Sequence, residues 1–300
     1  MTASVRIAAP AKINLFLKIV GRRADGYHNL GSLMQKVELY DRITLHKATG
    51  GITLTCPGSK LPTGEENIAH RAARLFMEEF SAACPKDECG VEIVLEKKIP
   101  IAAGLGGGSS DAAAVLRGME QLFVPEGCPA ADLHRLAVHL GADVPFFLNT
   151  AAAAWATGIG DRLTEAVPLS DMTVVLVNPG IPVSTQWVYE NFALTLQEKK
   201  FNLKNFNIDA PPFIQRAIRM DELWNDLEEV TAGHHSEIRE IEQQLLEGGA
   251  SAVMMSGSGP TVFGLFEEKS GQNTRLGKYC SLLRDRYEHV YEVRPCSSTN

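Results

Sequence analysis

Between residues 99 and 111 the chain reads Ile99-Pro100-Ile101-Ala102-Ala103-Gly104-Leu105-Gly106-Gly107-Gly108-Ser109-Ser110-Asp111, with four glycines inside five positions. Glycine loses more conformational freedom on folding than any other residue, so a cluster this dense marks a backbone that must stay bare. Val91 to Glu96 alternates with the period of a strand, and Ala112 to Arg117 predicts a helix. The glycines therefore form a strand-to-helix turn, with Ser109, Ser110 or Asp111 as the N-cap. Open N–H groups at such a terminus, aided by the helix dipole, suit a phosphate or another anion. The alternative is a turn that merely lets the helix pack closely; the polar run at the helix mouth weighs against it. No Lys follows the glycines as the GxxxxGK[ST] loop requires, and Ser109 stands where the dinucleotide fingerprint GxGxxG needs its last glycine.

A chain of 300 residues is long for one core, and two domains are expected, with the first ending near residue 160. A hydrophobic share of 45% and a charged share of 22% are those of an ordinary globular protein. The net charge of -7 argues against nucleic-acid binding, which calls for a basic stripe. There is no 18-residue apolar run, and Arg6, Lys12 and Lys18 interrupt the apolar residues near the start, so neither a membrane span nor a secretory signal is expected. A cytoplasmic protein follows. Cys56, Cys84, Cys89, Cys128, Cys280 and Cys296 form no CxxC pair, and reduced thiols are expected.

Along the chain, Ile13, Leu15, Leu17 and Ile19 alternate with Lys12, Asn14, Phe16 and Lys18, which predicts a strand with one buried face and places Lys12 and Asn14 on the same side. A turn at Asp25-Gly26 leads into strand-like residues 33 to 46. Asn67 is the expected cap of a helix whose inner side carries Ala69, Ala72, Ala73 and Phe76, and a second helix through Leu133 and Leu140 ends at Gly141. Residues 195 to 220 read as an insert with few signals. The second half alternates strands (173 to 178, 251 to 255, 261 to 266, 288 to 293) with helices from about 184, through Ile238, Ile241 and Leu245, and near 275 to 286. That predicts an α+β domain with helices over an antiparallel sheet. Between two of those strands lies a second cluster, Met255-Ser256-Gly257-Ser258-Gly259-Pro260-Thr261, which reads either as a hairpin turn or as part of a shared phosphate site.

Three of these stretches, Pro10-Ala11-Lys12-Ile13-Asn14-Leu15, Pro100 to Asp111 and Ser256 to Thr261, resemble the motifs of the GHMP kinases, the family of galactokinase, homoserine kinase and mevalonate kinase. Gly21-Arg22-Arg23-Ala24-Asp25-Gly26-Tyr27-His28, Leu105 to Ala113 and Leu140-Gly141-Ala142-Asp143-Val144-Pro145-Phe146-Phe147 are similar to one branch of that family. Its members phosphorylate the 2-hydroxyl of 4-(cytidine 5'-diphospho)-2-C-methyl-D-erythritol in non-mevalonate isoprenoid biosynthesis.

The resemblance implies an α+β chain with an N-terminal α/β domain (1–160) built on a left-handed crossover, a C-terminal ferredoxin-like domain (161–300) and a site in the cleft between them. It implies ATP and Mg²⁺. Asp143 would take the acceptor's proton and Lys12 would stabilise the transferring group; Asp143 is also a plausible helix N-cap and Lys12 a plausible solvated strand residue. Pro100 to Asp111 would hold ATP, with Asn67 and Lys98 lining the nucleotide pocket and Ser109 or Ser110, the latter preferred, beside the metal. Asn14, Tyr27, His28, Thr185 and Tyr189 would bind the acceptor, with the tyrosines as stacking faces and His28 on the cytosine edge. Tyr189 stands where the family has phenylalanine, and Met34 where an aromatic is common. The implied partner is the small-molecule substrate alone, on a monomer or weak homodimer.

Overall fold

The computed structural model describes residues 3–24, 26–84, 89–198, 215–268 and 272–297. They form two compact units. One comprises Met1–Ala11, Leu39–Ile99 and Gly106–Thr150, the other Lys12–Glu38, Pro100–Leu105 and Ala151–Asn300, so the chain passes between them five times and the glycine loop is divided after Leu105.

In the first unit, the leading part of β1 (Ser4–Arg22) and the closing part of β2 (His28–Ala48) belong to a sheet ordered β3-β4-β2-β1, with β3 at Gly51–Thr55 and β4 at Gly90–Glu96. β4 runs antiparallel to β2 in the register Arg42↔Glu96, Ile43↔Leu95 and Leu45↔Ile93. Four helices accompany it: α1 (Ile68–Glu79), α2 (Gly107–Phe123), α3 (Ala130–Leu140) and α4 (Val144–Leu148). α1 buries the expected Ala69, Ala72, Ala73 and Phe76, and its N-cap Asn67 accepts from Ala69 N–H, satisfying a donor the helix cannot. α3 ends at Gly141, as expected. α2 lies so close to β2 that a Cβ at Gly118 would come 2.5 Å from a Leu45 methyl, which explains a glycine inside a helix.

In the second unit, β1 pairs in parallel with β8 (Trp224–Asn225), β2 pairs with β5 (Ala153–Thr157), and β5 pairs with β6 (Arg162–Glu165). The alanine-rich run beginning at Ala151 leads into β5, whose strand is imposed by pairing with Ser32–Gln35 despite poor local propensity. A separate antiparallel sheet has the order β11-β7-β10-β9, formed by β7 (Met172–Asn178), β9 (Ala252–Met255), β10 (Val262–Glu267) and β11 (His289–Val293). With α7 (Glu237–Glu247) and α8 (Gln272–Arg284) in the connections, this is the βαββαβ ferredoxin-like arrangement. Ile238, Ile241 and Leu245 of α7 and Leu276, Cys280 and Leu283 of α8 share one core with Val175, Val177, Val262 and Val290. Beside it, Val188 and Phe192 of α5 (Thr185–Glu198) pack with Leu17, Ile19, Leu30 and Val230, the last from α6 (Glu228–Ala232). The expected insert at 195 to 220 lies largely on 199–214, outside the described residues.

Two local expectations are corrected. β1 is buried on both faces from Ala9 to Leu15, and on the face of Lys12 and Asn14 the 256 to 261 hairpin lies against it; Lys12 and Asn14 are 5% and 3% exposed. The cap of α2 is neither serine nor Asp111 but Gly106 in the left-handed region, with no side-chain cap, and Ser110 and Asp111 lie inside the helix and buried. A backbone that turns at φ 70° on a glycine starts the helix earlier than a side-chain cap would.

Candidate active site

The Lys12 region is built in the second unit by three chain segments. Lys12 N–H donates to Leu105 O (2.9 Å) and Thr261 N–H to Ala103 O (3.3 Å), tying β1 and the second glycine cluster to the leading half of the loop. Ser256 Oγ donates to Gly104 O (3.0 Å) and accepts from Asn14 N–H (3.3 Å). The approach is close enough that a Cβ on Gly104, at φ +74°, would come 2.1 Å from Ser256 O.

Lys12 Nζ donates to Asn14 Oδ1. Asn14 Nδ2 in turn donates to Ser32 Oγ (2.8 Å), which donates to Phe16 O (2.8 Å), so the amide is held with its oxygen toward the ammonium. At Gly257, with φ +59°, an added Cβ would lie 3.4 Å from Lys12 Nζ and 3.2 Å from Asn14 Oδ1. A side chain at position 257 would therefore lie against the ammonium.

The cluster 256 to 261 is the hairpin connection between β9 and β10, so both readings of it hold together. Asn225 Nδ2 donates to Met255 O and Gly257 O (both 2.8 Å), Thr231 Oγ1 to Ser258 O (3.1 Å) and Asn178 Nδ2 to Thr261 Oγ1 (2.9 Å). Thr185, at the start of α5, meets Ser258 with its hydroxyl at 2.9 Å.

In the first unit, Ser110 Oγ is buried with no hydrogen-bond partner among the described residues. Its neighbour Asp111 meets Lys97 Nζ at 2.7 Å, and Lys97 also donates to Asp41. Sequence reading missed Lys97 and Asp41. The signal for Lys97 was its parity, two places beyond the buried Val91, Ile93 and Leu95. Lys98 is exposed, and its N–H donates to Asp41 (2.5 Å). The Asn67 amide, besides its cap, donates to Pro62 O (2.9 Å). Asp143 occupies the N-cap position of α4, half-buried, without a side-chain cap bond.

The aromatic candidates fall in the second unit. His28 is buried, and its ring centroid is 5.5 Å from that of Tyr189, tilted by 33°. Burial, then the nearby Arg22 charge, lowers the His28 pKa from its ordinary value, which favours the neutral ring. His28 Nε2 has no partner among the described residues, and a buried unpaired nitrogen is costly unless a ligand completes it. Tyr27 is 62% exposed, whereas Met34 is a core residue opposite Ala154. Asp25 of that motif lies outside the described residues.

Residues 67–151 match the model of the GHMP kinases N terminal domain and residues 213–282 that of the GHMP kinases C terminal domain. The 4-diphosphocytidyl-2-C-methyl-D-erythritol kinase of Desulfotalea psychrophila is 45% identical over 97% of this chain and 95% of its own length. This chain belongs to that branch of the GHMP kinases. The corresponding protein of Syntrophotalea carbinolica is 48% identical over 87% of this chain and 89% of its own. A crystal structure of a 4-(cytidine 5'-diphospho)-2C-methyl-D-erythritol kinase superposes with a TM-score of 0.71 at 33% identity, covering 96% of this chain and 98% of that one. The N-terminal match holds α1 to α4, the whole glycine loop and Asp143; the GHMP kinase C-terminal match holds the 256 to 261 hairpin.

Proposed function

We propose that the protein transfers a phosphoryl group from ATP to the 2-hydroxyl of 4-(cytidine 5'-diphospho)-2-C-methyl-D-erythritol, a step of non-mevalonate isoprenoid precursor synthesis. The observation that carries this reading is the buried Lys12, oriented by Asn14 and bordered by the bare Gly257, in a chain 45% identical to a kinase of that name. Phosphoryl transfer asks a protein chiefly for positioning and charge stabilisation. ATP, when bound, supplies the group that is transferred. Lys12 stabilises the charge on it, and Asp143, at the N-cap position of α4, takes the proton of the acceptor hydroxyl.

The loop Pro100 to Asp111 holds the phosphates through those of its N–H groups that the helix does not use, as it uses that of Ser110 on Gly106 O (2.9 Å), and the bare Gly104 and Gly106, both at positive φ, keep the backbone within reach of them. Lys98 and Asn67 border the nucleotide. The unpartnered Ser110 hydroxyl fits Mg²⁺, a hard cation that keeps oxygen ligands from phosphate and water. On the acceptor, His28 Nε2 pairs with the cytosine edge, Tyr189 and Tyr27 offer stacking faces, and Asn14 and Thr185 meet the polyol diphosphate. No helix among the described residues is long and apolar enough to cross a membrane. We infer a cytoplasmic monomer or weak homodimer with no nucleic-acid partner, divided functionally at about residue 160.

A coupled ADP-release assay tests the reading with the cytidylyl substrate against homoserine and mevalonate. ADP release with the first alone is expected; equal release with an acceptor that carries no base overturns it.

A further inference from the structure

The Asp41, Lys97 and Asp111 side chains take part in no step of the proposed reaction, yet both aspartates are buried beside the glycine loop and the Lys97 side chain between them is only 9% exposed. Lys97 ends the run out of β4, and its ammonium is shared between Asp41 and Asp111. Asp41 is brought there by the register that sets Arg42 opposite Glu96. Its other oxygen accepts the N–H groups of Lys98 (2.5 Å) and Ile99 (2.9 Å), the last two before the loop. Asp111 stands in the opening turns of α2, where the loop ends. The contact is tight: a Cβ on Gly107 would meet Lys97 Nζ at 3.2 Å and an Ile99 methyl at 3.0 Å.

We propose that Asp41, Lys97 and Asp111 are positioning residues that clamp the two ends of the glycine loop to each other, fixing the directions of its N–H groups before nucleotide arrives. The stem of the loop is thus closed by side chains. The clamp rests on the reading of that loop as the ATP site. Two carboxylates face one ammonium in a buried space, so the arrangement is one negative charge in excess. Burial first, opposed by Lys97 and reinforced by Asp41, pushes the Asp111 carboxyl up to about 8, and the clamp carries a proton at neutral pH.

Asp111→Leu tests this. The substitution keeps the branching of the side chain, removes the surplus carboxylate and leaves the Lys97–Asp41 pair balanced, so the unfolding midpoint is expected to hold or rise. With the stem cut at one end, the amides of residues 101–108 should exchange about tenfold faster than in the parent while those of β9 and β10 do not change. KM for ATP should rise about tenfold, with KM for the acceptor within about twofold. Asp111→Asn, which keeps an oxygen for Lys97, should restore the exchange protection. Unchanged loop exchange overturns the clamp, as does a lowered midpoint with both KM values raised and no rescue by asparagine. Faster loop exchange with an unchanged KM for ATP supports the clamp and removes the loop from the ATP site. Should Asp111→Leu not fold, Asp111→Ala, which adds no methyl group to the crowded turn, is read in the same way.

Discussion

Lys12 and Lys97 are both largely withdrawn from solvent, and the groups that hold them differ in charge. Lys97 is closed between the carboxylates of Asp41 and Asp111, so charge and space around it are both filled. Lys12 is held by the neutral amide of Asn14 and borders a glycine, Gly257, where a side chain would lie against it. A lysine that fixes structure is best surrounded by its counter-ions. One that must stabilise charge arriving from a substrate needs a rigid support and an open side. The contrast teaches that burial alone does not identify a working lysine; the identity of the partner and the space beside it do.

The contrast breaks first at the chemistry. Asp143→Asn should lower kcat by on the order of 10²–10⁴ with substrate binding retained, since the amide keeps the shape but takes no proton. Lys12→Ala should lower kcat by on the order of 10²–10³. Steady-state kinetics with calorimetric binding checks both, and a Lys12 variant that changes only KM for ATP would reduce that lysine to a second Lys97. Gly257→Val comes next: it adds a branched side chain at φ +59° against Lys12 Nζ, and kcat should fall about tenfold or more, with a lower unfolding midpoint from the backbone strain.

Specificity should respond less in rate and more in ratio. His28→Ala should lower kcat/KM for the cytidylyl acceptor while leaving 2-C-methyl-D-erythritol 4-phosphate almost unchanged, narrowing a gap that reaches about 10⁴–10⁵ where a site is built to hydrogen-bond the missing group. Equal losses on the two acceptors would return His28 to a role in the fold.

The smallest effect is on stability against pH. Asp111, ordinarily near 3.8, is pushed up to about 8 by burial and by Asp41 against the pull of Lys97. Glu228, facing Glu242, Arg239 and the Met255 N–H, is pushed up to about 7 by burial and by Glu242. Both folded-state values are raised, so the native protein holds protons that the unfolded chain has released. Their stabilisation is complete below about pH 4 and is lost as pH rises through about 7 and 8. The unfolding midpoint should fall between pH 5 and 9, by about 2–4 °C per kcal/mol in a chain of this size. Asp111→Leu should flatten that slope and Glu228→Gln should flatten it further.

Much of the architecture was legible because it depends on local periodicity. The period-two alternation at 12 to 19 put Lys12 and Asn14 on one side, and their hydrogen bond agrees. The Asn67 cap, the Gly141 stop and the alternation of the second half were equally local. The start of α2 was misplaced because side-chain capping was the rule applied, and there a glycine in the left-handed region does the turning. β5 escaped because alanine says little about strands, and only pairing with β2 makes it one.

The sequence by itself determined the family motifs, the strand–loop–helix around the glycines and the residue types available for phosphoryl transfer, because each is written within a few neighbouring positions. Only the tertiary structure decided which of them meet. Asp41 and Lys97 stand 56 positions apart, and Asn14 and Ser256 are separated by 242. Such pairs are set by strand register and by close approach of backbones at glycine, quantities that depend on the whole packed chain and on no local pattern.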